Sequence, residues 1–228
     1  MYTDAVIYIL GLLARSGHGK TTVAQHLVST YGAEVRSLAG PMKRALQNVF
    51  GFSTAQLWGT QAEKEAIDPR YGFSPRWLLQ RLGTEGLRHE FGEDVHVRAL
   101  AHALAREEAA RTTGSPPRLY VVDDVRFAND ARFIARGGEG HVGAVLKIVQ
   151  TDVAPRDHSG HASERAIDEV AADDIAAVVV SSRGQGIAHM LGAVERALRS
   201  SSRFEPLRPA LRAPSYSLSP AVRRGGEG

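Results

Sequence analysis

The stretch that most constrains this chain is Ala5 to Thr22, AVIYILGLLARSGHGKTT. An apolar run from Ala5 to Leu13, broken by Gly11, turns through Gly17 and Gly19 into Lys20, Thr21 and Thr22. An amphipathic pattern of Val23, Ala24, Leu27 and Val28 follows. A buried strand, a glycine turn, a lysine and a helix start, in that order, build a P-loop. The backbone N–H groups of the turn and the helix N-terminus face a polyphosphate, and the positive end of the helix dipole favours its charge. Ser16, Gly17, His18, Gly19, Lys20, Thr21 and Thr22 are therefore the candidate nucleotide-binding residues. Lys20 is placed to reach the β- and γ-phosphates, and the Thr21 hydroxyl to hold Mg²⁺. One position departs from the pattern. Ala14 stands where the first glycine of G-x-x-x-x-G-K-[ST] belongs. A side chain restricts the backbone, so Ala14 suits the loop only at negative φ. An incidental lysine in a glycine-rich turn is the plainer reading of the same letters, and the order of strand, turn and helix argues against it.

A chain of 228 residues can bury one sizeable core in one or two domains. It has no cysteine, which excludes disulfides, thiolate catalysis and cysteine zinc sites. The start, MYTD, lacks a basic region, and the run from Ala5 to Ala14 is too short to cross a bilayer. A cytoplasmic protein without a membrane partner is the expectation. From Ser201 to Gly228 five arginines face two glutamates, which accounts for the whole net charge of +3. The remainder is neutral, which argues against a broad nucleic-acid-binding face. The segment 201–228 is rich in Ser, Pro, Arg and Gly, and predicts a basic, disordered tail.

Taken in order, the patterns predict strands near 5–13, 34–38, 118–122, 143–149 and 176–180. Helices are predicted near 20–30, from Pro41 to Gly51, and near 74–91, 94–111, 126–136 and 186–199. Residues 52–74 read as an irregular segment. Ser74 and Pro75 are an N-cap and N1 pair. The third strand ends at Asp123-Asp124, and an acid at the carboxyl end of an apolar strand is the Walker B arrangement, delivering a carboxylate to Mg²⁺. Lys43 lies in a first helical turn, near where a second substrate sits in a P-loop fold. Arg76, Gln80, Thr84 and Arg88 form a ridge at spacings of four. By spacing alone that ridge reads first as a solvated face. It could also grip a base and a phosphate. The polar stretch 151–166, with Arg156, suits a lid that closes cations over a transferring phosphate.

Several segments together resemble the bacteriophage-type deoxynucleoside monophosphate kinases of the P-loop superfamily. They are SGHGKTTVA (16–24), LAGPMKRAL (38–46), QLWGTQAEKE (56–65), SPRWLLQRLGTEGLR (74–88), VVDDVRFANDA (121–131) and HASE (161–164). The 74–88 and 121–131 segments are far more specific than the P-loop. The resemblance implies an α/β three-layer sandwich of about five parallel strands flanked by helices. It also implies a kinase domain over 1–200, a helical monophosphate-binding insertion at about 39–92, and a lid at about 151–166. Its activity is transfer of the ATP γ-phosphate to a (deoxy)nucleoside 5′-monophosphate. The cofactors implied are ATP and Mg²⁺, the partners are nucleotides, and assembly goes no further than a homodimer. Lys20, Asp123, Asp124, Arg126 and Arg156 are then the catalytic candidates, and Thr21 and Asp123 the metal ligands. Lys43, Arg88 and Arg126 are expected at the acceptor phosphate, Arg76 and Gln80 at the acceptor base, and Arg156 in the lid. Two other readings stand beside it. A relative that phosphorylates a hydroxymethylated pyrimidine in DNA needs a general base, for which Asp124 is the candidate, and would use nucleic acid as a partner. A degenerate, non-catalytic nucleotide-binding protein would explain Ala14.

Overall fold

In the computed structural model, which describes residues 6–138, 140–153 and 166–212, β1 (Ile7–Leu13) is the middle strand of five. Ile7, Ile9 and Leu13 are buried in one layer, and Leu10 and Leu12 in the other. This is the two-residue alternation of a strand covered on both faces. Gly11 turns toward the first layer, where a Cβ would lie 3.1–3.3 Å from the Val125, Ile134 and Val145 side chains. Close packing therefore explains the glycine inside the apolar run.

β2 (Glu34–Arg36), β3 (Leu119–Val125), β4 (His141–Gln150) and β5 (Ala177–Ser181) complete a sheet of order β2-β3-β1-β4-β5, parallel at every pairing. Helices α1 (Lys20–Tyr31) and α9 (Gly186–Ser200) cover one face through Val23, Leu27, Met190, Val194 and Leu198. Helices α7 (Val95–Ala109) and α8 (Ala128–Arg136) cover the other through Val97, Leu100, Leu104 and Ile134. The result is the three-layer α/β sandwich expected of a P-loop kinase. The chain leaves β1 between neighbours β3 and β4, so the loop after β1 opens at the switch point where such sheets bind ligands.

Two local departures place the site. Gly11 pairs with Val122, but Leu13 pairs with Val125, so Leu12 alone opposes Asp123 and Asp124. The double aspartate is a β-bulge, which bends a strand and re-aims its side chains. β2 stops at Arg36 rather than at Leu38, because the Leu38 and Ala39 N–H groups turn away from the ladder to the Asp124 carboxylate.

Between β2 and α7 lies a helical insertion: α2 (Gly40–Phe50), α3 (Thr54–Trp58), α4 (Gln61–Glu65), α5 (Pro75–Gln80), a π-helical run Arg81–Arg88, and α6 (His89–Phe91). It has its own small core of Leu46, Phe52, Leu57 and Leu78, with Phe50 stacked on Phe52 at 5.6 Å between ring centres. The predicted irregular segment 52–74 therefore contains two short helices. Each starts on a reciprocal capping box, Ser53 with Gln56 and Thr60 with Glu63. The predicted single helix 74–91 begins on Ser74 and Pro75 as expected, but then widens. Gly83 and Gly86 are weak helix formers, and the Gly83 carbonyl accepts a hydrogen bond from His96 Nε2 at 2.9 Å. No helix among the described residues is long and apolar enough to cross a membrane.

The expected disordered tail from residue 201 is corrected over its first part. Ser202–Leu207 form a 3₁₀ helix whose Phe204 and Leu207 are fully buried beside α9, with Ala210 behind them. Residues three apart eclipse in a 3₁₀ helix, so two apolar side chains are enough to make one buried face. The composition, dominated by Ser, Pro and Arg, conceals them. Residues 213–228 lie outside the described residues. Phe204→Ala is expected to lower the free energy of unfolding by about 3–5 kcal/mol in urea titration. An unchanged midpoint would show that this segment is not part of the core.

Candidate active site

The P-loop takes its shape from two glycines. Gly17 (φ 80°) and Gly19 (φ 88°) occupy the left-handed region that side chains avoid. Gly19 also presses on α9, since a Cβ there would stand 2.8 Å from Met190 Sδ. Among the described residues no non-glycine has positive φ, so Ala14 meets the condition read from the sequence. Its methyl is buried in the α1–α9 layer, and its carbonyl accepts a hydrogen bond from Lys20 Nζ. Helix α1 starts without a side-chain cap and without an acid in its first turn. Its leading N–H groups thus lack a side-chain acceptor, which suits a polyphosphate. Ser16 and Thr21 are exposed at this mouth, with Thr22 half-buried beside them. His18 is different. It is 6% exposed, and its Nδ1 accepts the Gln150 N–H at 3.1 Å, tying the loop to the end of β4.

The bulge separates the two aspartates by function. Asp124 accepts from Ser37 Oγ at 2.6 Å, Leu38 N at 2.8 Å and Ala39 N at 3.2 Å. Its carboxylate therefore clamps the turn that leads into α2. Three of the four acceptor sites of the carboxylate are occupied in this way. The catalytic candidate Asp124 is thus held by the turn at Ser37–Ala39. Asp123 is half-buried near Lys20 and Lys43. Burial and then the Asp124 charge push its carboxyl above the ordinary range, while the two lysines pull it back. A desolvated carboxylate beside a threonine at a helix start is an oxygen donor set of the kind a hard divalent cation takes.

Next to this lies a cavity of about 310 Å³, walled by Lys43, Lys64, Arg76, Gln80, Arg126, Phe127 and others from the insertion and the β3 end. Lys43 stands 5.7 Å over the Trp58 ring. Burial first, then the Lys64 charge, lowers its pKa. The same amine feels Asp123 and Asp124, so Lys43 joins the P-loop side to the cavity. Arg76 lies 3.7 Å from Glu65. Five of the expected acceptor-site residues thus border one space: Lys43, Arg76, Gln80, Arg88 and Arg126.

Arg88 borders it with its guanidinium already paired. Its guanidinium grips both Asp130 oxygens at 2.9 and 3.0 Å, and donates to the Glu93 carbonyl at 2.8 Å and to Asn129 at 3.2 Å. It also lies 4.1 Å from the Phe127 ring centre. Asp130 is 1% exposed, and a buried acid keeps its charge only when paired. Arg88 is held as that counter-ion and as the backing for Phe127. Arg156 lies outside the described residues. Three residues of the site carried no signal in the sequence. They are Lys64 in the cavity, His96 behind the π-helical run, and Arg183. From the β5–α9 turn, Arg183 donates to the Gly17 carbonyl at 3.3 Å and to Gln150 at 3.4 Å.

No protein-family model matches the chain. Over 174 residues it is 33% identical to a protein of Acanthamoeba polyphaga mimivirus provisionally named deoxynucleotide monophosphate kinase. That alignment covers 75% of this chain and 87% of the other. The chain belongs to the deoxynucleoside monophosphate kinase family. Among solved structures, TT1252 from Thermus thermophilus is similar with a TM-score of 0.47 and 17% identity, over 85% of this chain and 96% of that one.

The Asp123 carboxyl has a pKa raised in the folded state. Its contribution to stability is therefore present at low pH and lost as pH rises through that pKa. Asp123→Asn is expected to raise Tm at pH 7 and to lower phosphate transfer by about 10²-fold or more. Parallel thermal melts and turnover measurements check both. A lower Tm at pH 7 would contradict the electrostatic account.

Proposed function

We propose that the protein transfers the γ-phosphate of ATP to a (deoxy)nucleoside 5′-monophosphate, yielding the diphosphate and ADP. The observation that carries this reading is the P-loop mouth adjoining a cationic cavity of about 310 Å³, with Lys43 electrostatically coupled to both sides. That volume lies at the small end of ligand pockets, as one nucleotide requires.

The residues fit the chemistry. A monophosphate is largely a dianion at neutral pH, by analogy with phosphoserine, whose second pKa is about 6. The attacking oxygen needs no base, which agrees with Asp124 being taken up by the turn at Ser37–Ala39. What the reaction needs is positioning and positive charge. Lys20 supplies charge at the donor, and the left-handed glycines with the α1 N-terminus orient the donor phosphates. Thr21 and Asp123 are the residues that would hold Mg²⁺, which supplies neutralisation of the β- and γ-phosphates when bound. Lys43 and Arg126 orient the acceptor phosphate. Gln80 and the Phe127 ring, stiffened by Arg88, face the nucleoside. Arg156 is assigned to the lid on the strength of the family resemblance. A kinase acting on a neutral hydroxyl in DNA would need a base, and three of the four acceptor sites of Asp124 are already taken by Ser37, Leu38 and Ala39.

Lys20→Ala is expected to lower turnover by about 10²–10³-fold while leaving far-UV circular dichroism and Tm unchanged. Undiminished turnover in that variant would show that the loop is not the donor site. A panel of ribo- and deoxynucleoside monophosphates with labelled ATP should yield labelled diphosphates. Label entering modified duplex DNA, with no diphosphate formed, would overturn the proposal.

A further inference from the structure

Three cations converge on the cavity from three helices: Lys43 from α2, Lys64 from α4 and Arg76 from α5. The acids around Lys64 are largely committed elsewhere. Glu63 accepts from the Thr60 N–H at 2.6 Å and the Thr60 hydroxyl at 2.7 Å. Asp68 is held by Arg70 and Gln56. Glu65 accepts from Gln61 at 2.5 Å and reaches Arg76 only at 3.7 Å. Among the described residues no hydrogen bond or ion pair engages the Lys64 amine. Burial, then the neighbouring like charge, lowers the pKa of both lysines. Like charges gathered in a half-buried space oppose folding, and an anion entering that space relieves them.

We propose that Lys64, with Arg76 and Lys43, binds the 5′-phosphate of the acceptor nucleotide, making α4 a phosphate-binding arm. This rests on the monophosphate kinase reading and refines it. Arg76 moves from the base end, where the family resemblance put it, to the phosphate end. Gln80, one turn further along the same helix, keeps the nucleoside. Lys64 also separates the two substrates, since it enters the cavity from α4 and, among the described residues, no hydrogen bond or ion pair of its amine reaches the P-loop. Lys43 touches both sides and cannot make that distinction.

The test compares wild type, Lys64→Met and Lys64→Arg in steady-state kinetics and in calorimetric binding of a deoxynucleoside monophosphate and of its parent nucleoside. Lys64→Met should raise the KM for the monophosphate about tenfold or more and leave the KM for ATP unchanged. It should shrink the affinity ratio of monophosphate to nucleoside by the same factor. Lys64→Arg should restore most of the loss, because the charge and donors remain. Equal weakening of nucleoside and monophosphate, an unmoved acceptor KM, or a parallel rise in the ATP KM would each overturn the assignment. Active wild type with an unaltered Lys64→Met variant sinks this assignment alone. Wild type that turns over no monophosphate overturns the kinase reading and this inference with it.

Discussion

The site is organised by one carboxylate. Asp124 receives a hydroxyl and two backbone N–H groups from Ser37, Leu38 and Ala39. Those bonds end β2, start α2 on Gly40 and Pro41, and bring Lys43 within electrostatic reach of Asp123. The bulge at Asp123 and Asp124 makes this arrangement available, because an extra residue in β3 lets both acids reach the strand end in different roles. One is spent on geometry, and the other is left desolvated beside Lys20 and Lys43. Charge-assisted hydrogen bonds from backbone N–H groups are strong and directional, which makes the clamp a rigid footing for the whole insertion.

A second buried charge pair stiffens the far wall. Arg88 and Asp130 neutralise one another under the Phe127 ring. Breaking a buried pair leaves an uncompensated charge, at a cost of about 3–5 kcal/mol, so this wall resists change. The near wall is different. Lys43, Lys64 and Arg76 repel one another across the cavity, and the protein holds that repulsion in its folded state. The contrast between a neutralised wall and a frustrated one gives the cavity its polarity. The wall at Phe127 is packed and paired, while the wall at Lys43, Lys64 and Arg76 is positively charged.

Much of the architecture was legible in the residues. Apolar alternation at Ile7, Ile9, Leu10 and Leu12, then Gly17, Gly19 and Lys20, dictate a doubly covered strand feeding a P-loop. Ser74 and Pro75 mark a helix start that the structure places on those residues. The capping boxes at Ser53–Gln56 and Thr60–Glu63 were also readable, yet the glycines and polar residues around them masked two helices of five residues each. Phe204 and Leu207 were hidden in the same way, because hydrophobicity averaged over a window misses an i, i+3 pair.

Sequence by itself determined the chemistry on offer: which cations and carboxylates exist, where the chain turns, and what kind of phosphate loop β1 must feed. These follow from local backbone preference and apolar periodicity, which act between near neighbours. Tertiary structure alone decided how each charge is used. Arg88, expected at the acceptor phosphate, lines the cavity while held against Asp130, which the fold buries beside it. Asp124, a catalytic candidate by its place at the strand end, also clamps the turn into α2 because β2 lies beside β3. Lys64, unremarked in the sequence, joins the cavity because α4 packs beside α5. Partners 12 to 87 positions apart in the chain have no common local pattern, and only close approach in a low-dielectric interior makes their charges felt.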